Sequence, residues 1–366
     1  MKMKRALSLL MLSLPGLLIA LIFAPLVGVR KDFYNEIWGP VFLLLHGQNP
    51  YDTSPLKADL APLWLPMAKG LFFPFGWLQP DTAASIWFFL NVIALLLVTW
   101  LALKDETSPW LSGLAGLFVY FFPPVIHHFV LGQFSIFAML SLLLAVRLAQ
   151  AKQDWPAAFG LALALTKPQL ALFAAIGLGA FYFRQNRWRG LLLFYSKTLF
   201  VAFLLSLPLF LAFPAWPFTW LANLRANPST WAQPSIFLIA SGAWKTWAIL
   251  FALSLGLLLC VRISRKQVPA AAMEWTLAIT TLFAPYIWSW DFVLLLPLWL
   301  STFARSGTRN KIMLFIVYLL AWGGMFSAQR YGDGNNQFFW WVPLWFVGWL
   351  AFLSPWAQLS KTGDAS

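Results

Sequence analysis

Pro156-Ala-Ala-Phe-Gly-Leu-Ala-Leu-Ala-Leu-Thr-Lys-Pro-Gln-Leu-Ala-Leu-Phe-Ala-Ala-Ile-Gly-Leu-Gly-Ala-Phe-Tyr-Phe183 is an apolar stretch broken once, at Thr166-Lys167-Pro168-Gln169. Read as one Pro-kinked span, it puts Arg184, Arg187 and Arg189 on the side opposite Arg147 and Lys152. Read as a hairpin of two half-length helices, it returns that cluster to the same side. Basic residues collect on the cytoplasmic side of a membrane protein, so the hairpin is selected. Neither half alone reaches across a hydrocarbon core of roughly 30 Å, and a tip at that depth must be covered by protein or water.

The remainder of the chain has the same solvent in view. Of 366 residues 61% are hydrophobic and 10% charged, against about 25% charged in soluble domains, so polar surface is too scarce to clothe a globule of this size. Further apolar runs fall near 6–29, 81–103, 110–124, 134–149, 190–213, 236–261, 270–287, 291–304, 311–327 and 338–355. With the hairpin counted as two, they predict an all-α, polytopic integral membrane protein of about 12 membrane segments, both termini cytoplasmic. The first run is longer than the roughly 7–15-residue core of a cleaved signal and lacks a small-x-small site, so it reads as a retained helix. The chain divides as a first membrane helix over 1–29, an outer loop over 30–80, the remaining segments over 81–355 and a cytoplasmic tail over 356–366, one domain in all.

A formal charge of +13 reports topology in such a chain and is not a nucleic-acid signal. The single Cys260 excludes a disulfide framework and a cysteine zinc site. No Walker-type G-x-x-x-x-G-K and no G-x-G-x-x-G is present, so function is expected at the outer face, where Asp32, Glu36, Asp291 and all three histidines gather.

In the first outer loop, Ile37 to His46 is too short to span and reads as a helix lying in the membrane interface. Asp32 stands just before it. Partial desolvation there suits a general base with a raised pKa, and capping of the interfacial helix is the other reading. Lys167, at the tip of a half-membrane hairpin, invites an anion such as a lipid phosphate, or else snorkels to outer headgroups. His127 and His128 follow the Pro123-Pro124 break, where an imidazole binds phosphate or a sugar hydroxyl, or the two form an interfacial hydrogen-bonded pair. Gln133 and Gln169 contact sugar hydroxyls or satisfy turns. Arg225 is a second phosphate ligand or a solvated loop charge, and Asp291 orients an acceptor or caps the helix starting at Phe292. Most of the 23 tryptophans belong to interfacial belts, with Trp38, Trp64, Trp231, Trp288 and Trp290 placed where stacking on a sugar is possible.

The order of these features resembles glycosyltransferase family 87, the polyprenyl-phosphate-sugar-dependent mannosyl- and arabinosyltransferases of the GT-C superfamily. Asp32-Phe-Tyr with Gly47-Gln-Asn-Pro-Tyr51 is similar to the family's acidic exit from its first helix and its later G-x-x-P-Y. Pro123 to His128 with Leu131-Gly-Gln-Phe134 is similar to its outer turn, Gly160 to Pro168 to its small-residue helix ending in Lys-Pro, and Ala284 to Asp291 to its late Pro-x-x-Trp turn. A Tyr-Pro-Pro before the second span is replaced here by Pro62-Leu-Trp-Leu-Pro66 and Phe73-Pro74, and Trp290 and Asp291 stand where the family commonly has histidines.

The resemblance implies an inverting transferase at the outer face of the cell membrane that moves a sugar, mannose or arabinose foremost, to an acceptor hydroxyl. It assigns Asp32 as base with Glu36 as understudy. Lys167, His127, His128 and Arg225 would serve the donor phosphate, and Glu36, Gln133, Gln169, Trp288, Trp290 and Asp291 the sugar and acceptor. The implied partners are a polyprenyl-phosphate-sugar donor acting as co-substrate, a glycolipid or glycan acceptor and the lipid bilayer. No cofactor or metal is expected, since no D-x-D accompanies Asp32 and Glu36. The rival expectation is a lipid-linked-sugar flippase or other multi-span transporter, against which the chain offers no internal repeat.

Overall fold

The structure is a computed structural model that describes residues 2–23, 31–58, 60–104, 106, 108–226, 237, 242–329 and 337–353. Trp231 lies outside them. Among the described residues all regular structure is helical. Four helices are long and apolar enough to cross a membrane: Pro80–Ala102, Pro168–Ala212, Trp244–Lys266 and Thr308–Gln329. Pro109–Tyr120 and Pro123–Leu131 make a fifth if taken as one span bent by 55°. Leu10–Phe23, Ser135–Gln150 and Gln337–Leu353 are apolar but shorter.

The stretch that decides the topology folds back on itself. Asp154–Ala164 forms one helix, the chain turns at Leu165 to Lys167, and Pro168 opens the next at its first position, where its missing N–H leaves no bond unmade. The helix Pro168–Ala212 is itself bent: Asn186 and Arg187 leave helical geometry, Arg187 with φ 51°. Residues 168–185 and 188–212 then run back to back, with Tyr182 stacked on Phe194 at 4.1 Å and the Tyr195 hydroxyl donating to the Ala175 carbonyl at 2.8 Å. Gly160 lets the hairpin press against Ser135–Gln150, since a Cβ there would lie 2.7 Å from the Ser141 carbonyl oxygen.

Two stretches that lie largely between the apolar runs carry helices. Pro123–Leu131 is helical through both histidines, and Trp216–Ala226 forms a helix on the 213–235 connection. Proline at the first turn of each supplies the start, which an apolar-run reading overlooks because neither helix is long. After the first helix, Lys31–Phe33 is helical, passes into a π-helical turn at Tyr34–Trp38 and continues as Gly39–Leu45. Asn35 to Val41, Leu43 and Leu44 on it are buried in protein. Asp32 sits inside its first turn, so it is not the residue that caps it.

The bundle has two chemically distinct ends. At one, the N-terminus of Ser135–Gln150 meets the hairpin tip and the turn after Pro269–Phe283. At the other stand buried or half-buried ion pairs: Lys197 with Asp154 at 2.8 Å, Arg305 with Glu274 at 3.2 Å, and Lys311 with Glu106.

Pro66–Leu71 packs against the second arm of Pro168–Ala212 so closely that a Cβ on Gly70 would fall 1.6 Å from the Leu205 carbonyl oxygen, a backbone atom. Gly70→Ala is therefore expected to destabilise the fold by at least the ~1–3 kcal/mol of an overpacked core. Gly348→Ala, inside the helix Val342–Leu353 and meeting nothing within 4 Å, should leave the melting temperature in detergent no lower than the parent's. Equal melting of the two variants would contradict this packing.

Candidate active site

Lys167 occupies the residue before Pro168, where the backbone is held out of helical geometry (φ −115°, ψ 84°) and the side chain turns inward. It is 4% exposed. Its ammonium donates to Gln133 Oε1 at 2.7 Å, to Asp291 Oδ1 at 3.2 Å and to Ser135 Oγ at 3.3 Å, which uses all three N–H groups. The Trp64 ring covers it, with Nζ 5.1 Å from the ring centroid.

Two chain reversals deliver the three acceptors. Gly132, at φ 69°, ends Pro123–Leu131 in the left-handed conformation that glycine takes without strain, and Gln133 and Ser135 follow at the start of the next helix. Asp291 closes the Trp288 turn: its Oδ2 accepts the Trp288 N–H at 3.0 Å, while its Oδ1 also accepts the Ser135 hydroxyl. It is fully buried. Asp291 does not, as expected, precede a helix starting at Phe292, but lies within the 3-10 helix Ser289–Leu295, where its carboxylate holds the Trp288 N–H and is the counter-ion of Lys167.

The Gln133 amide is oriented by this arrangement. The ammonium can only donate, so Oε1 faces Lys167 and Nε2 donates to Asp32 Oδ2. Asp32 is half-buried, and no ion pair reaches it among the described residues. Burial pushes its carboxyl up to about 7, an effect opposed by Lys167, assisted by Glu36 and opposed again by the Gln133 hydrogen bond and Lys31. A carboxyl with that affinity, one oxygen fixed and the site partly open, is suited to take a proton near neutrality.

Glu36, one turn on, has a different occupation. Its carboxylate accepts the Leu63 N–H at 2.9 and 3.0 Å and the Trp64 N–H at 2.8 Å, and Lys69 Nζ stands 3.8 Å away. Burial pushes Glu36 up and Lys69 down to about 8, each opposed by the charge of the other. These contacts leave Glu36 holding a loop, where sequence had placed it with the acceptor or as a second base.

The other predicted residues fall outside the cluster or have their polar atoms engaged. His128 is fully buried, and its Nε2 accepts the Ile136 N–H at 3.0 Å, so its proton is on Nδ1, which has no acceptor. That imidazole is neutral and turned into the fold. His127 stacks on Phe339 and contacts Gln329 at 3.2 Å, away from its neighbour, so the two do not pair with each other. Arg225 is exposed on the last turn of Trp216–Ala226, and no hydrogen bond or ion pair joins it to Lys167 among the described residues. Gln169 is half-buried beside the tip and makes no hydrogen bond among them. Trp288 and Trp290 stack on one another at 5.1 Å, and the buried Trp290 indole N–H has no acceptor. Trp38 is buried and donates to the Leu78 carbonyl, and Trp64 is buried between Lys167 and Phe134.

Lys69 and Ser135 complete the site and were not predicted. Lys69 carried a signal, being a lone charge among apolar residues between Leu63 and Phe75. Ser135 carried only its place two residues after Gln133.

Helices of membrane length closing around a buried polar cluster define an integral membrane protein with a polar site at one end of its bundle. A family model described as glycosyltransferase family 87 matches residues 65–285, more than half of the chain, and the chain belongs to that family. It is accordingly a membrane glycosyltransferase. Gln133, Ser135 and Lys167 lie inside the matched region, while Asp32 and Asp291 lie on either side of it. No curated protein matches the chain.

Two outcomes follow from the ion pair and the isolated carboxyl. Lys167→Met or Asp291→Asn alone leaves the other member buried without its partner and should cost about 3–5 kcal/mol, with the double variant recovering part of the loss in a melting cycle. For Asp32 the folded protein holds its proton up to about pH 7, whereas the unfolded chain releases it near pH 4. This group alone therefore makes stability fall as pH rises between those values. Asp32→Asn is expected to melt no lower than the parent at pH 8, and a clearly lower melting point would show that the ionised carboxylate is needed by the fold.

Proposed function

We propose that the chain transfers a sugar from a polyprenyl-phosphate donor to an acceptor hydroxyl at the outer face of the cell membrane, with inversion and with Asp32 as the base. The observation that carries this reading is the chain of contacts from Asp291 through Lys167 and Gln133 to Asp32, which leaves one carboxyl near neutrality and unpaired at the edge of an otherwise neutralised pocket. Family membership supplies the reaction class.

In this reading the acceptor hydroxyl gives its proton to the Asp32 oxygen not held by Gln133, attacks the anomeric carbon, and the bond to the donor phosphate breaks. The phosphate departs on the Lys167 side. Contact with it would require the ammonium to exchange its longest hydrogen bond, the 3.3 Å one to Ser135, for a phosphate oxygen. His127, Arg225 and Gln169 are read as lining the approach and not the reacting centre, and the Trp288–Trp290 pair as a wall for the sugar. The polyprenyl tail lies among the membrane segments, taken as about twelve with both termini inside, and the Lys31 to Leu45 helix lies near the interface. Mannose and arabinose are the leading donors. The reading uses no metal.

Purified protein offered a panel of polyprenyl-phosphate sugars should turn over one of them, in detergent and in the presence of EDTA. The acid limb of its kcat/KM profile should fall near pH 7, as the Asp32 carboxyl requires. Asp32→Asn should lower kcat by on the order of 10²–10⁴-fold, the usual contribution of a positioned base. Well-folded protein that transfers nothing, yet moves lipid-linked sugar across liposomes, would replace the transferase with a flippase. An Asp32→Asn enzyme of undiminished rate would move the base elsewhere.

A further inference from the structure

The segment from Pro62 to Leu65 has no regular structure, yet distant side chains and backbone hold nearly every polar backbone atom in it. The Pro62 carbonyl accepts from Asn223 at 3.3 Å and the Leu63 carbonyl from the Trp220 indole at 2.8 Å. The Leu63 and Trp64 N–H groups donate to Glu36, and the Trp64 carbonyl accepts from Lys69 Nζ at 2.6 Å and from the Tyr51 hydroxyl at 2.9 Å. The Leu65 N–H donates to the Thr166 carbonyl and the Ala68 N–H to the Thr166 hydroxyl, both at 3.0 Å, which stitches the strap to the hairpin tip.

So many tethers on one irregular segment need a reason, because a buried loop ordinarily leaves backbone groups unsatisfied. What the strap delivers is the Trp64 indole. Its ring lies against the Lys167 ammonium and on Phe134, and it is 7% exposed, so no face is left for a sugar. Lys69, itself 1% exposed, bonds the strap and lies 4.8 Å from the Tyr51 ring centroid, so the Glu36–Lys69 pair is enclosed by the groups it holds.

We propose that Glu36 and Lys69 are positioning residues of the transfer site, their buried pair clamping the strap so that Trp64 keeps water off Lys167 and holds its ammonium on Gln133 and Asp291. The inference rests on the transferase reading for its kinetic consequences but not for the clamp itself. Loosening the strap hydrates the ammonium, frees Gln133 and lets Asp32 lose its fixed orientation. The charged groups facing Asp32 are Lys167 from the tip and Glu36 and Lys31 from its own helix, with the Gln133 amide between. Withdrawal of Lys167 therefore removes a stabiliser of the ionised carboxylate.

Hydrogen–deuterium exchange of the full-length protein in detergent reads the clamp without substrate. Peptides covering 62–69 and 164–170 should exchange slowly in the parent, and at least about tenfold faster in Glu36→Gln, which loses the charge that faces Lys69 and puts an NH2 donor where the second carboxylate oxygen accepts the Leu63 N–H. Unchanged exchange in both peptides would overturn the clamp whatever the activity shows. In the transfer assay, Glu36→Gln and Trp64→Leu should each lower kcat by on the order of 10–100-fold with donor and acceptor KM nearly constant, the mark of lost orientation. Trp64→Leu should also move the acid limb to higher pH, and Trp64→Phe, which keeps an aromatic face over the ammonium, should stay within about threefold of the parent. A raised acceptor KM at constant kcat in Glu36→Gln would make Glu36 an acceptor ligand and sink the positioning role. Faster exchange in Glu36→Gln, together with a parent enzyme that transfers nothing, would leave the clamp standing and remove the transferase reading instead.

Discussion

An ammonium withdrawn from water must find acceptors for three N–H groups and a compensating negative charge, and at Lys167 that requirement organises the site. The hairpin tip supplies the lysine, the Gly132 turn supplies Gln133 and Ser135, and the Trp288 turn supplies Asp291. These groups are 32 to 124 residues from Lys167 in sequence. None of the three reversals has a strong reason of its own to approach the others, since each is a short connection between apolar helices. The ion pair adds little net stability over an apolar substitute. Its effect is on uniqueness: any packing that separates these turns strands a charge in the interior.

The carboxylates of Asp32 and Glu36 sit on the same helix, four residues apart, and are put to opposite uses by their surroundings. Glu36 is at the buried face with two backbone N–H donors and a lysine, contacts that favour its charged form against the cost of burial. Burial dominates at both acids, but Asp32 has one amide donor and no ion pair, with Lys167 and Lys31 opposing burial only in part, so its proton affinity rises toward neutrality. The π-helical turn that begins at Tyr34 breaks the regular register between them, and such turns are frequent at functional sites. Two carboxyls one helical turn apart thus differ, one left without an ion pair and one tethering a loop, through differences in neighbours alone.

How much of this was legible in the sequence depends on the range of the interaction concerned. Apolar runs and the sidedness of Arg184 to Arg189 act through the solvent, so they report helices and the reversal at Thr166-Lys167 without knowledge of any partner. Asp32, Gln133, Lys167 and Asp291 could each be picked as costly or exposed polar groups, but their mutual contacts could not. Lys167 invited an anion, and the structure answers with Asp291, a pairing that hydropathy cannot encode. Lys197 is the same lesson at the other end: a charge inside an apolar run whose partner, Asp154 at the base of the hairpin, lies 43 residues away in sequence and 2.8 Å away in space. His128 misled for a related reason, since the Ile136 N–H that consumes its Nε2 belongs to backbone and leaves no trace in residue type.

The pairing of charges also bears on why Asp32 alone remains uncommitted. Lys167 with Asp291 and Lys69 with Glu36 are each neutral as pairs, so ionised Asp32 adds a single uncompensated negative charge to a poorly solvated pocket. Under the proposed transfer the donor phosphodiester brings one negative charge and the phosphate monoester that leaves carries about two. The proton moves from the acceptor hydroxyl to Asp32 as the phosphate gains its second charge. The total in the pocket therefore stays constant while negative charge shifts from the aspartate to the departing group. A base permanently paired with a lysine would resist accepting that proton, and an acid of ordinary affinity would hold it too weakly. Keeping the lysines occupied elsewhere leaves Asp32 with a proton affinity between those extremes, which is the condition a general base at neutral pH must meet.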